Sequence, residues 1–301
     1  GGGFDKGYSA SRIPKDGKMS QHMQFEANMT LSGANADRRY PVKPSEQKAI
    51  IAALYSKIAG GSSPSLPAKI EKAVEQAAIA LKRGGSKSVV LCGLPDRAAQ
   101  QLTLSINEAL SSTIIDTDAP IMTRQGSRMA VKNLVRDMDS GSVGAVFVLD
   151  VDPVYAYEDS DAFAKAFSKV PLKVSFATRK DATAELCDYV ATTPHYLESW
   201  GDTMIKKGHV YLTQPTIKPL FDTRQAQETL LKWSGDNSSY RDFLKSSAQA
   251  DGSNWNKSLQ DGFYKSNADF VSNDLAPQMS DGMALSELSN AKGSNDFELV
   301  L

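Results

Sequence analysis

The sequence predicts an α/β protein: a doubly wound, mainly parallel sheet with helices on both faces, a loop-rich N-terminal segment and a polar helical C-terminal extension. Two observations carry this. Short apolar runs such as Ala145–Leu149 lack the polar alternation of a half-exposed strand, which marks strands covered on both faces. Between these runs the apolar period switches to helical spacing and back, as parallel βαβ units require. A chain of 301 residues is also long enough to bury about three quarters of its unfolded surface.

Residues 1–44 are rich in Gly, Lys, Asp and Ser, with a small apolar patch at Met23, Phe25, Met29 and Leu31, and read as a loop-rich opening segment. Pro44-Ser45-Glu46 starts a helix in which Ile50, Ile51, Leu54 and Ile58 repeat until Gly60-Gly61 ends it. A second helix begins at Pro67 and carries Ile70, Val74, Ala77, Ala78 and Leu81 as far as Gly84-Gly85. The alternation then sets in. Strands are expected at Ser88–Cys92, Thr113–Ile115, Ala145–Leu149, Leu172–Phe176 and Tyr189–Ala191. Helices are expected between them at Ala98–Leu110, Met129–Met138, Ala162–Phe167 and Ala182–Leu186.

These elements define an α/β domain over residues 45–235. After Trp233 the composition turns to Ser, Asn, Asp and Gly. The anchors Tyr240, Phe243, Leu244, Trp255, Leu259, Phe263 and Tyr264 are too few for a separate core, so residues 236–301 read as a helical extension packed on the α/β domain. The opening Gly1-Gly2-Gly3 and the strand-like run Phe297–Leu301 read as the ends of a piece cut from a longer chain.

The 34 Lys+Arg balance 35 Asp+Glu, so no basic field exists to neutralise phosphates, and nucleic acid is not an expected partner. No apolar run approaches the ~20 residues of a membrane-crossing helix. Cys92 and Cys187 are too few for a disulfide scaffold, a four-thiolate cluster or a structural zinc site, and both read as small buried hydrophobes.

Ligands of a parallel sheet bind beyond the carboxyl ends of its strands. The loops to search are therefore Gly93–Arg97, Asp116–Pro120, Asp150–Tyr157, Thr178–Asp181 and Thr192–Asp202. The first lacks the glycines of a dinucleotide fingerprint and reads as a strand-to-helix turn with Asp96 as the cap. Gly84–Ser88 has a phosphate-loop composition but precedes its strand, on the wrong side for a helix dipole. Asp150, Asp152, Glu158, Asp159 and Asp161 form an acidic cluster without EF-hand spacing, and read as a solvated loop. His22, His195 and His209 are scattered, and no HxxxH, CxxC or GxSxG motif occurs. The segment from Thr192 to Asp202 differs, combining hydroxyls, an imidazole, a carboxylate and a Gly-Asp turn within eleven residues.

That segment, with its Pro194, Glu198 and Gly201-Asp202, resembles the strand-end motif of the molybdopterin oxidoreductases, the dimethyl sulfoxide reductase family. Asp152-Pro153-Val154-Tyr155 is similar to the family's Asn-Pro-Val-Tyr loop. Pro171–Val174 followed by Thr183–Asp188 is similar to its next strand and helix, and Gln214-Pro215 with Pro219-Leu220 to its later hairpin. The run Phe25–Arg39 and the run Arg224–Glu228 resemble one subgroup, the large iron–sulfur, molybdopterin oxidoreductase-like subunit of alternative complex III, a membrane-bound quinol oxidoreductase of the respiratory chain.

The resemblance implies a peripheral subunit on the periplasmic face of the inner membrane, with other subunits of a respiratory complex as partners. It implies iron–sulfur clusters only in regions outside this chain, and a cofactor, molybdopterin guanine dinucleotide, held in part by the α/β domain. If that cofactor binds, its contacts fall at Gly93, Asp152, Thr192, His195, Glu198 and Asp202, with Thr192 and His195 as phosphate or pterin donors and an Asp on guanine.

One departure argues for a scaffold that has lost the cofactor. Where the family commonly has Gly-Gly-Asn-Pro, this chain has Asp150-Val151-Asp152-Pro153. The change adds bulk and negative charge beside the expected diphosphate. Like charges ~4 Å apart at an effective dielectric of ~20 cost on the order of 4 kcal/mol, or roughly three decades of affinity. The expectation is a non-catalytic domain that packs against neighbouring subunits; the alternatives are the dinucleotide-binding domain of an active molybdenum oxidoreductase and a generic small-ligand module.

Overall fold

The structure, a computed structural model, describes residues 4–123, 126–267, 279–291, 293 and 297–299. It contains two compact units, Gly1–Asp116 with Pro277–Leu301, and Thr117–Ala276.

In the first unit the opening segment is more ordered than its composition predicts. It contains α1 (Phe4–Ser11), β1 (Met23–Glu26), the single turn α2 (Leu31–Ala34) and β2 (Arg38–Pro41). β1 and β2 pair in parallel, Met23 opposite Arg38 and Glu26 opposite Pro41, and Phe25 stacks on Tyr40 at 5.0 Å. Four-residue strands are too short to announce themselves by periodicity; here a buried carboxylate holds them. Glu26 accepts from Thr30 Oγ1 at 2.7 Å and from Arg39 Nε at 2.5 Å, while Thr30 caps α2 through Gly33 N. The run Phe25–Arg39 is thus a folding motif built around one charge.

α3 (Pro44–Ala59) and α4 (Ala68–Gly84) follow the predicted spans, and α5 (Arg97–Ala109) begins at the predicted cap, where Asp96 accepts from Ala99 N at 3.0 Å. Ile50, Leu54, Ile70, Val74, Val90 and Ile106 bury one another in a shared core.

The expected strands Ser88–Cys92 and Thr113–Ile115 do not form. Instead of a ladder, these segments bond to side chains and main chain some 17 to 27 residues away. Asn107 on α5 is buried, and its amide donates to Val90 O and accepts from Val90 N, both at 2.8 Å, as a neighbouring strand would. Ser112 Oγ donates to Ser88 O, and Thr113 N donates to Ser86 O.

The second unit carries the parallel sheet. After α6 (Arg128–Asp139) come β3 (Ala145–Leu149), α7 (Pro153–Ala156), α8 (Ser160–Phe167), β4 (Leu172–Phe176), α9 (Ala182–Glu185) and β5 (Tyr189–Val190). The strands pair in parallel in the order β3-β4-β5, as the alternation predicts. Met138, Val148, Phe163, Phe167 and Val170 fill the space between α6, α8 and the sheet. β4 also buries Lys173, whose Nζ donates to Val170 O at 2.9 Å and pairs with Asp188 at 3.1 Å. That pairing offsets the cost of burying an ammonium.

Beyond β5 lies an antiparallel sheet outside the predicted pattern, formed by β6 (Gly201–Lys206), β7 (His209–Thr213) and, after α10 (Ala226–Trp233), α11 (Tyr240–Ala250) and α12 (Trp255–Asp261), by β8 (Phe263–Lys265). The β6–β7 connection, Lys207-Gly208, uses a left-handed glycine with φ of 76°. Val210, Tyr240, Leu244, Trp255 and Tyr264 form its core, so the anchors of the extension cover a sheet.

The last helix, α13 (Asp281–Ser289), returns to the first unit, where Ala284 and Leu288 pack on Ala52, Ala98, Ala99 and Leu102. Asp281 accepts from Tyr55 Oη at 3.2 Å, Gln101 Nε2 at 2.9 Å and Ser105 Oγ at 2.8 Å. Phe297, Glu298 and Leu299 take no strand conformation: both apolar side chains are exposed, and Glu298 accepts from Ser45 N at 2.7 Å instead. Val300, Leu301 and Gly1-Gly2-Gly3 lie outside the described residues, as do residues 268–278 of the extension. Among the described residues no helix is long and apolar enough to cross a membrane.

Candidate functional site

β3 and β4 end side by side at Leu149 and Phe176, so the loops after them share the carboxyl edge of the sheet. Asp150 N donates to Phe176 O at 2.9 Å and ties the two loops together. A cleft of about 230 Å³ opens there, lined by Asp150, Asp152, Arg179 and Asp181 with Val151, Ala177 and Thr178.

The carboxylates of this cleft differ in what they already hold. Asp152 accepts from Thr183 N at 3.0 Å and Thr183 Oγ1 at 2.5 Å, and the same hydroxyl accepts from Val154 N at 3.0 Å. Burial pushes the Asp152 carboxyl up, but the donors from Thr183 outweigh it and hold the group below the usual carboxylate range. Asp181 caps α9 through Ala184 N at 2.8 Å. Asp150 is exposed and sits in the left-handed region, with φ of 49°, a conformation that Asp tolerates and glycine favours. Its backbone therefore keeps a glycine-like geometry while its side chain stands in the cleft.

The lining is net anionic, unlike that of a diphosphate site. Three carboxylates and one guanidinium, Arg179, line the cleft. Its volume is also below the ~300–1,000 Å³ of ordinary small-molecule sites. Among the described residues no group of three or more His, Cys, Asp or Glu is placed to hold a metal ion.

The remaining candidates from the sequence are dispersed. Thr192 is exposed in the loop after β5, which is fixed to the cleft by the bond from Thr193 N to Ala177 O at 3.3 Å. His195 is exposed, its Nδ1 accepts from Leu197 N at 3.3 Å, and its ring lies 4.3 Å from that of Tyr196. Glu198 closes the same short turn, its N–H donating to His195 O at 2.8 Å. Asp202 on β6 accepts from Tyr240 Oη at 2.6 Å; burial first, then this carboxylate, push the Tyr240 phenol well up. Gly93 belongs to the first unit, and a Cβ added there meets nothing within 4 Å, so neither turn nor close approach requires a glycine. Two residues of this site carry no signal of their own in the spacing: Arg179, the cation of the cleft lining, belongs to no motif, and Thr183, which holds Asp152, lies within the matched helix run.

A solved structure shares this architecture. Acetylene hydratase from Pelobacter acetylenicus matches with a TM-score of 0.61 over 82% of this chain and 48% of its own, at 13% sequence identity, a likeness of fold alone. By sequence, the menaquinone reductase molybdopterin-binding-like subunit of Nitratidesulfovibrio vulgaris is 36% identical over 123 residues. That match takes in 38% of this chain and 18% of the relative, so the chain spans a small part of the curated protein. No family model matches. The sequence likeness supports the molybdopterin oxidoreductase family, the family that the motifs after β3, β4 and β5 resemble.

Proposed function

We propose that this chain is a molybdopterin-oxidoreductase-like domain that serves as a scaffold and does not bind a pterin guanine dinucleotide. Its place is the iron–sulfur subunit of a respiratory quinol oxidoreductase of the alternative complex III type, on the periplasmic face of the inner membrane. The carrying observation is the cleft beyond β3 and β4, small and anionic, with Asp152 already engaged by Thr183, where the family cofactor would need room and donors. The name of the matched relative, a menaquinone reductase subunit, supports a multi-subunit quinone-linked complex as the setting.

The test is made on the polypeptide purified in its native assembly. Elemental analysis for molybdenum and acid extraction of guanine nucleotide are expected to give far less than one equivalent of each. Stoichiometric amounts of both would replace this reading with that of an active pterin-binding domain. A direct titration of the 301-residue chain with GDP is expected to show no saturable binding, and Asp150→Gly alone is not expected to create it.

A further inference from the structure

A second cleft, of about 150 Å³, lies in the first unit between the start of the β1–β2 pair and α4. Its helix wall is Gln76, Ile79, Ala80 and Arg83, spaced i, i+3, i+4, i+7 along one face, and its strand wall includes Met23 and Arg38. Ile79 is 61% exposed, a large apolar side chain left open to solvent. No carboxylate lines the cleft. Arg38 donates to the neutral Gln76 Oε1 at 2.6 Å, and neither Arg38 nor Arg83 forms an ion pair among the described residues. Other arginines nearby are neutralised, Arg39 by Glu26 and Arg12 by Asp37.

From this contrast we infer that the cleft docks an acidic segment of a partner protein, one carrying an apolar side chain between two carboxylates. Two unpaired guanidiniums flank an open apolar floor, so the complement is two anions flanking an apolar group. Gln76, which anchors Arg38, and Arg83 are seven residues apart, roughly 10 Å along the helix axis. An extended segment places residues i, i+2 and i+4 on one face, with i and i+4 roughly 13 Å apart. Long arginine stems span the difference. A pattern of acid, any residue, apolar, any residue, acid therefore matches the cleft. The inference rests on the first unit alone and stands apart from the cofactor question.

The test uses the 301-residue chain with its methionine methyl groups labelled with carbon-13, the Met23 signal being assigned with Met23→Leu. The probe is a peptide with the core Glu-Ser-Leu-Ser-Glu. Saturable movement of the Met23 signal is expected, weakened about tenfold or more in Arg83→Gln and in Arg38→Gln, with unchanged thermal melts. A peptide with Gln for both Glu, or Ser for Leu, is expected to leave Met23 in place. No response to the acidic peptide, equal response to the Gln peptide, or equal affinity in both arginine variants overturns the proposal. So does Arg83-dependent binding to phosphatidylglycerol vesicles with no peptide response, which would assign the cleft to a membrane surface.

Discussion

Thr183 gives Asp152 two hydrogen bonds, from its main-chain N–H and from its hydroxyl, and thereby fastens the loop after β3 to the start of α9. Thr183 is fully buried, so this bracket lies under the cleft. Thr183→Val keeps the shape, removes the hydroxyl and leaves Val154 N without its acceptor. It is expected to cost about 2 kcal/mol in urea unfolding at neutral pH. Because the Asp152 carboxyl is held below its usual range in the folded state, its contribution is present above the unfolded pKa of ~3.9 and is lost as pH falls through the folded value. The wild-type advantage therefore narrows on acidification; a gap constant from neutral pH to pH ~2 would show that the bracket does not carry it.

Arg12 and Asp37 make a second acid-sensitive contact. The Arg12 guanidinium, with the His22 N–H, pulls the Asp37 carboxyl down to about 2. Stability from this pair is complete above the unfolded pKa of ~3.9 and disappears as the pH approaches the folded value of about 2. Carbon-13 NMR of the carboxyl should place its midpoint there, and Arg12→Gln should move it towards ~3.9. An unmoved midpoint would assign the shift to another neighbour.

Gly33 is fixed by contact: a Cβ there would overlap Glu26 Oε1. Glu26 cannot retreat without releasing Arg39 and Thr30. Gly33→Ala is expected to destabilise the first unit by about 2 kcal/mol. Gly7→Ala on α1, where nothing stands within 4 Å, should instead be neutral or stabilising by up to ~1 kcal/mol. Equal melting temperatures for the two variants would refute the Glu26 packing argument.

Asn107 is predicted to be worth more than its polarity suggests. Asn107→Leu leaves the N–H and C=O of Val90 without partners at a buried site and is expected to cost about 3 kcal/mol. Hydrogen exchange at the Val90 amide should accelerate in a destabilised but folded intermediate, Asn107→Ser. Unchanged protection there would mean the amide is held by something other than this side chain.

Where periodicity was long or bounded by caps, the sequence was readable: α3 ends at its glycines, α5 starts at Asp96, and β3 and β4 occupy their expected residues. Illegible features depended on partners distant in the chain. Ser88–Cys92 has strand composition, yet Asn107 supplies the bonds a strand would have made. β6 and β7 carry a short-range signal in the Lys207-Gly208 turn, weaker than the helical alternation around it. At the cleft the excess of aspartate was visible in the residues, whereas the Asp152–Thr183 bracket spans 31 positions and needs the parallel pairing of β3 with β4 to exist.

The return of α13 orders events during synthesis. Ala284 and Leu288 complete a hydrophobic cluster whose other members lie at Ala52, Ala98, Ala99 and Leu102. A ribosome must therefore make all of residues 117–276 before α3 and α5 receive their final cover. In the meantime the nascent chain leaves those apolar side chains without their last neighbours.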